Sequence, residues 1–126
     1  MPTVLLLDDE PTVRETGRRF LTLCGYQCVE AESIERANEM VAHTTVDAAI
    51  LDVRLPGPIT GLDLLASFRK QPRLTEIPVL IMTGSVLTHE EEASITKQRA
   101  FLFYKPEGFD TIVKFLDQLT GRDQTD

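Results

Sequence analysis

Residues 4–11 read VLLLDDEP, four aliphatic side chains running straight into three acids and a proline. Asp and Glu are among the residues least willing to leave water. Two carboxylates about 5 Å apart also repel by about 3 kcal/mol at an effective dielectric near 20. The acids could serve an ordinary helix start, favouring the positive helix end with Pro11 at the first helical position. They could equally form one wall of a cation site.

The same design recurs along the chain. YQCVEA (26–31) is a weaker strand, AAIL (48–51) ends in Asp52, IPVLIM (77–82) ends in Thr83-Gly84-Ser85, and FLFY (101–104) ends in Lys105-Pro106. Helix-period segments separate these runs. Val13, Gly17, Phe20, Leu21 and Cys24 share one face, and Gly25 closes that helix. Ser33 is an N-cap for a helix carrying Ile34, Ala37, Met40 and Val41. The loop RLPGPITG (54–61) leads into Leu62, Leu64, Leu65 and Phe68. The last stripe is Phe109, Ile112, Val113, Leu116 and Leu119. The segment 86–99, VLTHEEEASITKQR, fits less well: Val86, Leu87, Ala93 and Ile95 predict a helix with only a thin buried stripe. Five apolar strands, each followed by a helix, predict a doubly wound α/β fold with a parallel sheet covered on both faces. One domain over 1–120 with a polar tail, 121–126, is expected.

Composition narrows the function classes. The 126 residues carry a net charge of −7 with no basic run longer than Arg18-Arg19, which speaks against nucleic-acid binding carried by phosphate neutralisation. The apolar runs fall far short of a membrane span, and the N-terminal run is too short for a signal peptide. Cys24 and Cys28 lack partners at zinc-like spacing and read as small buried side chains. No glycine-rich phosphate loop follows the first strand. A cytoplasmic protein without a direct nucleic-acid or membrane partner is expected. With its start at Met1 and no effector region after residue 120, the chain reads as a stand-alone unit or as the N-terminal part of a longer one.

The polar residues at the strand ends carry the chemistry. Asp8-Asp9, Asp52, Thr83 and Lys105 each have an ordinary explanation when taken singly: a helix start, a loop cap, a strand-end hydroxyl, a solvated turn. Their conjunction at the carboxyl ends of strands, where sites form in open parallel sheets, points to a shared pocket. Carboxylates are natural Mg2+ ligands, a free carboxylate can act as nucleophile, and phosphoryl transfer needs mainly positioning and charge neutralisation.

The pieces LLLDDEP (5–11), LDVRLPG (51–57), VLIMTG (79–84) and FYKP (103–106) resemble, in that order, a response-regulator receiver domain of two-component signalling, of the chemotaxis-regulator-like kind, over essentially the whole chain. The resemblance implies a flavodoxin-like (βα)5 fold with strand order 2-1-3-4-5. It implies Asp52 as phospho-acceptor, taking a phosphoryl group from a sensor histidine kinase or phosphotransfer protein. Asp8, Asp9, Asp52 and the backbone carbonyl of Arg54 would hold Mg2+, Thr83 would move toward the phosphoryl group, and Lys105 would pair with it. Gly84 would leave the pocket open. The Lys105–Pro106 bond would be cis, and Arg54 and Ser85 would tune phosphoryl lifetime. Such a domain promotes only its own phosphoryl transfer and dephosphorylation, and signals to a downstream protein. Glu10, with Pro11, is expected only to start the first helix.

Three departures from the family pattern stand out. Nine steps separate Asp52 from Gly61, one more than is common, so loop 53–61 is longer by one residue. Leu102 occupies the usual position of an aromatic switch, and strand alternation sends Phe101 and Phe103 to the opposite face. Gln98-Arg99 replaces a Gly-Ala pair, which removes the glycine of a left-handed helix stop. The last two favour, as the alternative, a weakly switching or pseudo-receiver protein-interaction domain. A haloacid-dehalogenase-type hydrolase would need an Asp two positions after the nucleophile, where this chain has Glu10.

Overall fold

In the computed structural model, which describes residues 1–105 and 108–121, strands and helices alternate from end to end. The elements are β1 (Thr3–Leu7), α1 (Pro11–Leu23), β2 (Gln27–Ala31), α2 (Ile34–His43), β3 (Ala48–Asp52), α3 (Gly61–Arg69), β4 (Val79–Thr83), α4 (His89–Lys97), β5 (Phe101–Tyr104) and α5 (Phe109–Thr120). All strand pairs are parallel and the sheet order is β2-β1-β3-β4-β5. The expected doubly wound α/β fold and its strand order are therefore observed. The Lys105–Pro106 bond and residues 122–126 of the tail lie outside the described residues.

Alternation along each strand builds two cores. Leu5, Leu7, Ala49, Leu51, Val79 and Ile81 face one side, with Ala37 and Val41 of α2 and Leu64, Leu65 and Phe68 of α3. Val4, Leu6, Ile50, Leu80, Met82 and Phe103 face the other, against Leu21 of α1 and Ile112, Val113 and Leu116 of α5. Because both faces are covered, the central strands read as unbroken apolar runs. Leu102 packs with the first core and Phe103 with the second, as strand alternation requires. Among the described residues, no helix is long and apolar enough to cross a membrane.

The helix ends follow the local chemistry. Ser33 accepts a hydrogen bond from the Arg36 N–H, and Thr60 forms a capping box with Asp63. Gly25 takes a φ of 92° just past α1. α4 differs from its neighbours. Its only buried residue is Ile95, with Leu87 buried just ahead of it; Val86 is 88% exposed and Ala93 is exposed. The buried stripe is thus thinner than the four apolar residues suggest.

The left-handed stop after α4 persists without glycine, which corrects the expectation drawn from Gln98-Arg99. Arg99 adopts φ 61°, the one positive φ outside glycine among the described residues. The Ala100 N–H donates to the Ile95 carbonyl (3.0 Å) and the Arg99 N–H to that of Thr96 (3.0 Å), the paired bonds of a Schellman motif. Side chains support the unfavourable backbone: Arg69 Nε donates to the Gln98 carbonyl at 2.8 Å, and an Arg99 guanidinium nitrogen donates to the Thr75 carbonyl at 3.0 Å.

Candidate functional site

Register places the polar residues at one end of the sheet. Leu7 pairs with Leu51, so Asp8 and Asp52 leave adjacent strands at the same level. Thr83 pairs with Tyr104, and the Lys105 N–H donates to the Thr83 carbonyl at 2.8 Å. An open cleft of about 410 Å³ lies there, lined by Asp9, Glu10, Asp52, Arg54, Gly84, Ser85 and Lys105.

Lys105 is the electrostatic centre of the cleft. Its Nζ lies 3.1 Å from Asp8 Oδ2, 3.3 Å from Asp52 Oδ2 and 3.4 Å from Glu10 Oε1. Asp8 is wholly buried and Asp52 is 4% exposed, so the pairing offsets the cost of two charges removed from water. Burial pushes the Asp52 carboxyl up and the Asp8 charge pushes it further, while Lys105 and the Arg54 N–H pull it back; the result is about 6. For Lys105, burial alone would lower the ammonium, but Asp8 and Asp52 outweigh it and the net direction is upward.

The remaining residues are held individually. Asp8 Oδ1 accepts from the Glu10 N–H at 2.9 Å, and Arg14 donates to the Asp8 carbonyl at 2.8 Å. The Arg54 N–H donates to Asp52 Oδ1 at 3.3 Å. Thr83 is buried, and its hydroxyl donates to the Ser85 carbonyl at 3.2 Å, so it is engaged within its own turn. A side chain at Gly84 would meet Lys105 Cδ at 3.7 Å, ordinary contact, so crowding does not require glycine there.

The carboxylate oxygens of Asp8, Asp9 and Glu10 lie within 4.8 Å of one another, close enough to share one cation. An all-oxygen, multiply anionic donor set suits Mg2+. Glu10 does begin α1, but its side chain makes no cap bond and turns to Lys105 instead. It therefore joins the acidic group, which corrects its assignment as a helix start alone. The signal was available: a carboxylate two positions after Asp8 and immediately before the helix.

Two further relationships escape the strand-end pattern. A side chain on Gly61 would overlap the Asp52 backbone carbonyl oxygen, so the longer loop still returns α3 tightly beneath the end of β3. The Arg54 guanidinium leaves the cleft to clasp Glu91 of α4 with two bonds of 2.9 and 3.2 Å, and its Nε donates to Ser85 Oγ at 3.3 Å. The bonds from Arg54 and the Thr88 N–H hold the Glu91 carboxyl below the usual range.

The family model for the response regulator receiver domain matches residues 4–117. The response regulator MprA of Mycobacterium leprae is 29% identical over 123 residues, covering 98% of this chain and 53% of that protein. The chain spans about half or less of the length of the curated relatives it matches. Among solved structures, chemotaxis protein CheY4 of Vibrio cholerae matches with a TM-score of 0.85 at 25% identity, covering 94% of this chain and 98% of that one. The response regulator protein TrrA of Thermotoga maritima, solved in complex with Mg2+-BeF, matches with a TM-score of 0.81 at 27% identity, covering 94% and 99%.

Proposed function

The chain belongs to the response-regulator receiver family, and on that premise we propose that it is a phosphorylation-switched signalling module whose acceptor is Asp52. The observation that carries this reading is the buried Asp52 carboxylate, held 3.3 Å from the Lys105 ammonium at the rim of an open acidic cleft. A carboxylate oxygen of Asp52 attacks the phosphorus of a phosphohistidine on a sensor histidine kinase or phosphotransfer protein. An oxygen–phosphorus bond forms, the phosphorus–nitrogen bond breaks, and the departing imidazole takes a proton from solvent. Water attacking the same phosphorus later returns Asp52 and inorganic phosphate.

Asp8 and Asp9 would hold Mg2+, with Asp52 and the Arg54 carbonyl as further ligands and Glu10 within reach. The ion neutralises charge on the phosphoryl oxygens when bound. Lys105 transfers its pairing to the phosphoryl group, and the Thr83 hydroxyl rotates from Ser85 toward it. A cytoplasmic setting and a protein partner downstream complete the reading.

Intact mass after incubation with acetyl phosphate and Mg2+ tests it. The wild type gains one phosphoryl group and Asp52→Asn does not; an adduct that persists fully in Asp52→Asn would falsify Asp52 as acceptor. Leu102 at the usual switch position favours the second reading, a weakly switching interaction domain. That reading predicts an adduct in the wild type with no change in partner capture, or no adduct at all.

A further inference from the structure

We propose that the Arg54 side chain is a switchable clamp, which holds α4 through Glu91 in the unmodified chain and moves to the phosphoryl group when Asp52 is modified. The inference rests on Asp52 being the acceptor.

The clasp joins residues 37 apart in sequence and ties the first turn of α4 to the loop after β3. Apart from Leu87, buried just ahead of the helix cap, little else among the described residues holds that end of the helix. Ile95 is its one buried residue, and a Tyr104 hydroxyl bond to Glu92 (3.0 Å) is exposed. The opposite end is pinned, by the paired backbone bonds around Arg99 and by Arg69 on the Gln98 carbonyl. The helix is therefore a lever with a fixed C-terminal end and a polar latch at its N-terminal end.

The charge balance favours transfer of the guanidinium. Lys105 already serves three carboxylates, and among the described residues Arg54 is the other basic residue at the cleft. A phosphoryl group adds negative charge and three acceptor oxygens two residues from Arg54. A guanidinium fork pairs with phosphate oxygens as readily as with a carboxylate. Its backbone N–H is already bonded to Asp52, so only the side chain needs to swing. Glu91 keeps its capping box with Thr88 after release, so α4 stays helical while its N-terminal turn comes free. The charge change thereby biases a poorly packed element, without an aromatic residue at Leu102.

Amide hydrogen exchange over residues 88–95, with and without Mg2+ and beryllofluoride, tests the clamp beside intact-mass measurement of phosphorylation. Glu91→Gln preserves the capping box but removes the charge from the clasp. In the wild type, beryllofluoride should speed exchange there several-fold. Unmodified Glu91→Gln should already exchange several-fold faster and respond little to beryllofluoride. A wild type that takes up the phosphoryl group while α4 exchange stays unchanged or slows overturns the clamp alone, as does a Glu91→Gln variant that exchanges like the unmodified wild type. A wild type that takes up no phosphoryl group overturns the acceptor reading and the clamp together.

Discussion

Gly61 sits so close beneath Asp52 that any side chain on it would overlap the Asp52 backbone carbonyl oxygen, while its own N–H donates to the Val53 carbonyl at 3.0 Å. The first residue of α3 is thus pressed against the last residue of β3. Gly61→Ala should cost about 1–3 kcal/mol, as overpacking of a tight contact does. Because the obstacle is the backbone of Asp52 itself, phosphorylation by acetyl phosphate should also slow. Urea unfolding and intact-mass time courses check the two effects; a fully stable, fully active variant would show that α3 can retreat freely.

The raised Asp52 carboxyl links stability to pH. Its folded value of about 6 lies above the ordinary 3.8, so between those values the folded chain binds more protons than the unfolded one. Stability therefore falls as pH rises from about 4 to about 6 through this group. The expected loss is on the order of 1–2 kcal/mol, allowing for solvent screening at the open cleft. Asp52→Asn should remove that part of the slope and be more stable than the wild type at pH 7. Chemical denaturation across pH 4–7 measures it; an Asn variant less stable at pH 7 would mean that the ionised carboxylate is net favourable there.

Mg2+ should raise the melting temperature by mass action on the folded state. Asp9→Ala should abolish most of that rise, since Asp9 is one of three carboxylates within 4.8 Å of one another and is not engaged by Lys105. An unchanged rise in the variant would move the ion to other ligands.

Arg99 holds a left-handed backbone that an ordinary residue adopts at a cost of about 1–2 kcal/mol. Glycine relieves that cost but forfeits the side-chain bond to the Thr75 carbonyl. Arg99→Gly should therefore match or exceed the wild type by up to about 1 kcal/mol, whereas Arg99→Val should fall below it by a similar amount. The order Gly, Arg, Val in denaturation midpoint is the test, and a valine variant equal to wild type would mean that the turn has rearranged.

Much of this was legible in the one-dimensional pattern, because it depends on local rules. Alternating apolar runs and helix stripes dictate a covered parallel sheet, Ser33 and Gly25 mark helix ends through their own chemistry, and strand-end position groups Asp8, Asp52, Thr83 and Lys105 once the strands lie side by side. What required the tertiary structure depends on contacts between distant segments. Arg54 reaches Glu91 across 37 residues, Glu10 turns to Lys105 rather than capping its helix, and Gly61 is needed because of where β3 ends. Arg99 keeps a glycine-type conformation with support from residues well before it in the chain: Arg69 donates to the neighbouring Gln98 carbonyl, and the Thr75 carbonyl accepts from the Arg99 guanidinium. Local propensity could settle the elements and their chemical equipment; only the packed sheet determined which charges meet and which helix they hold.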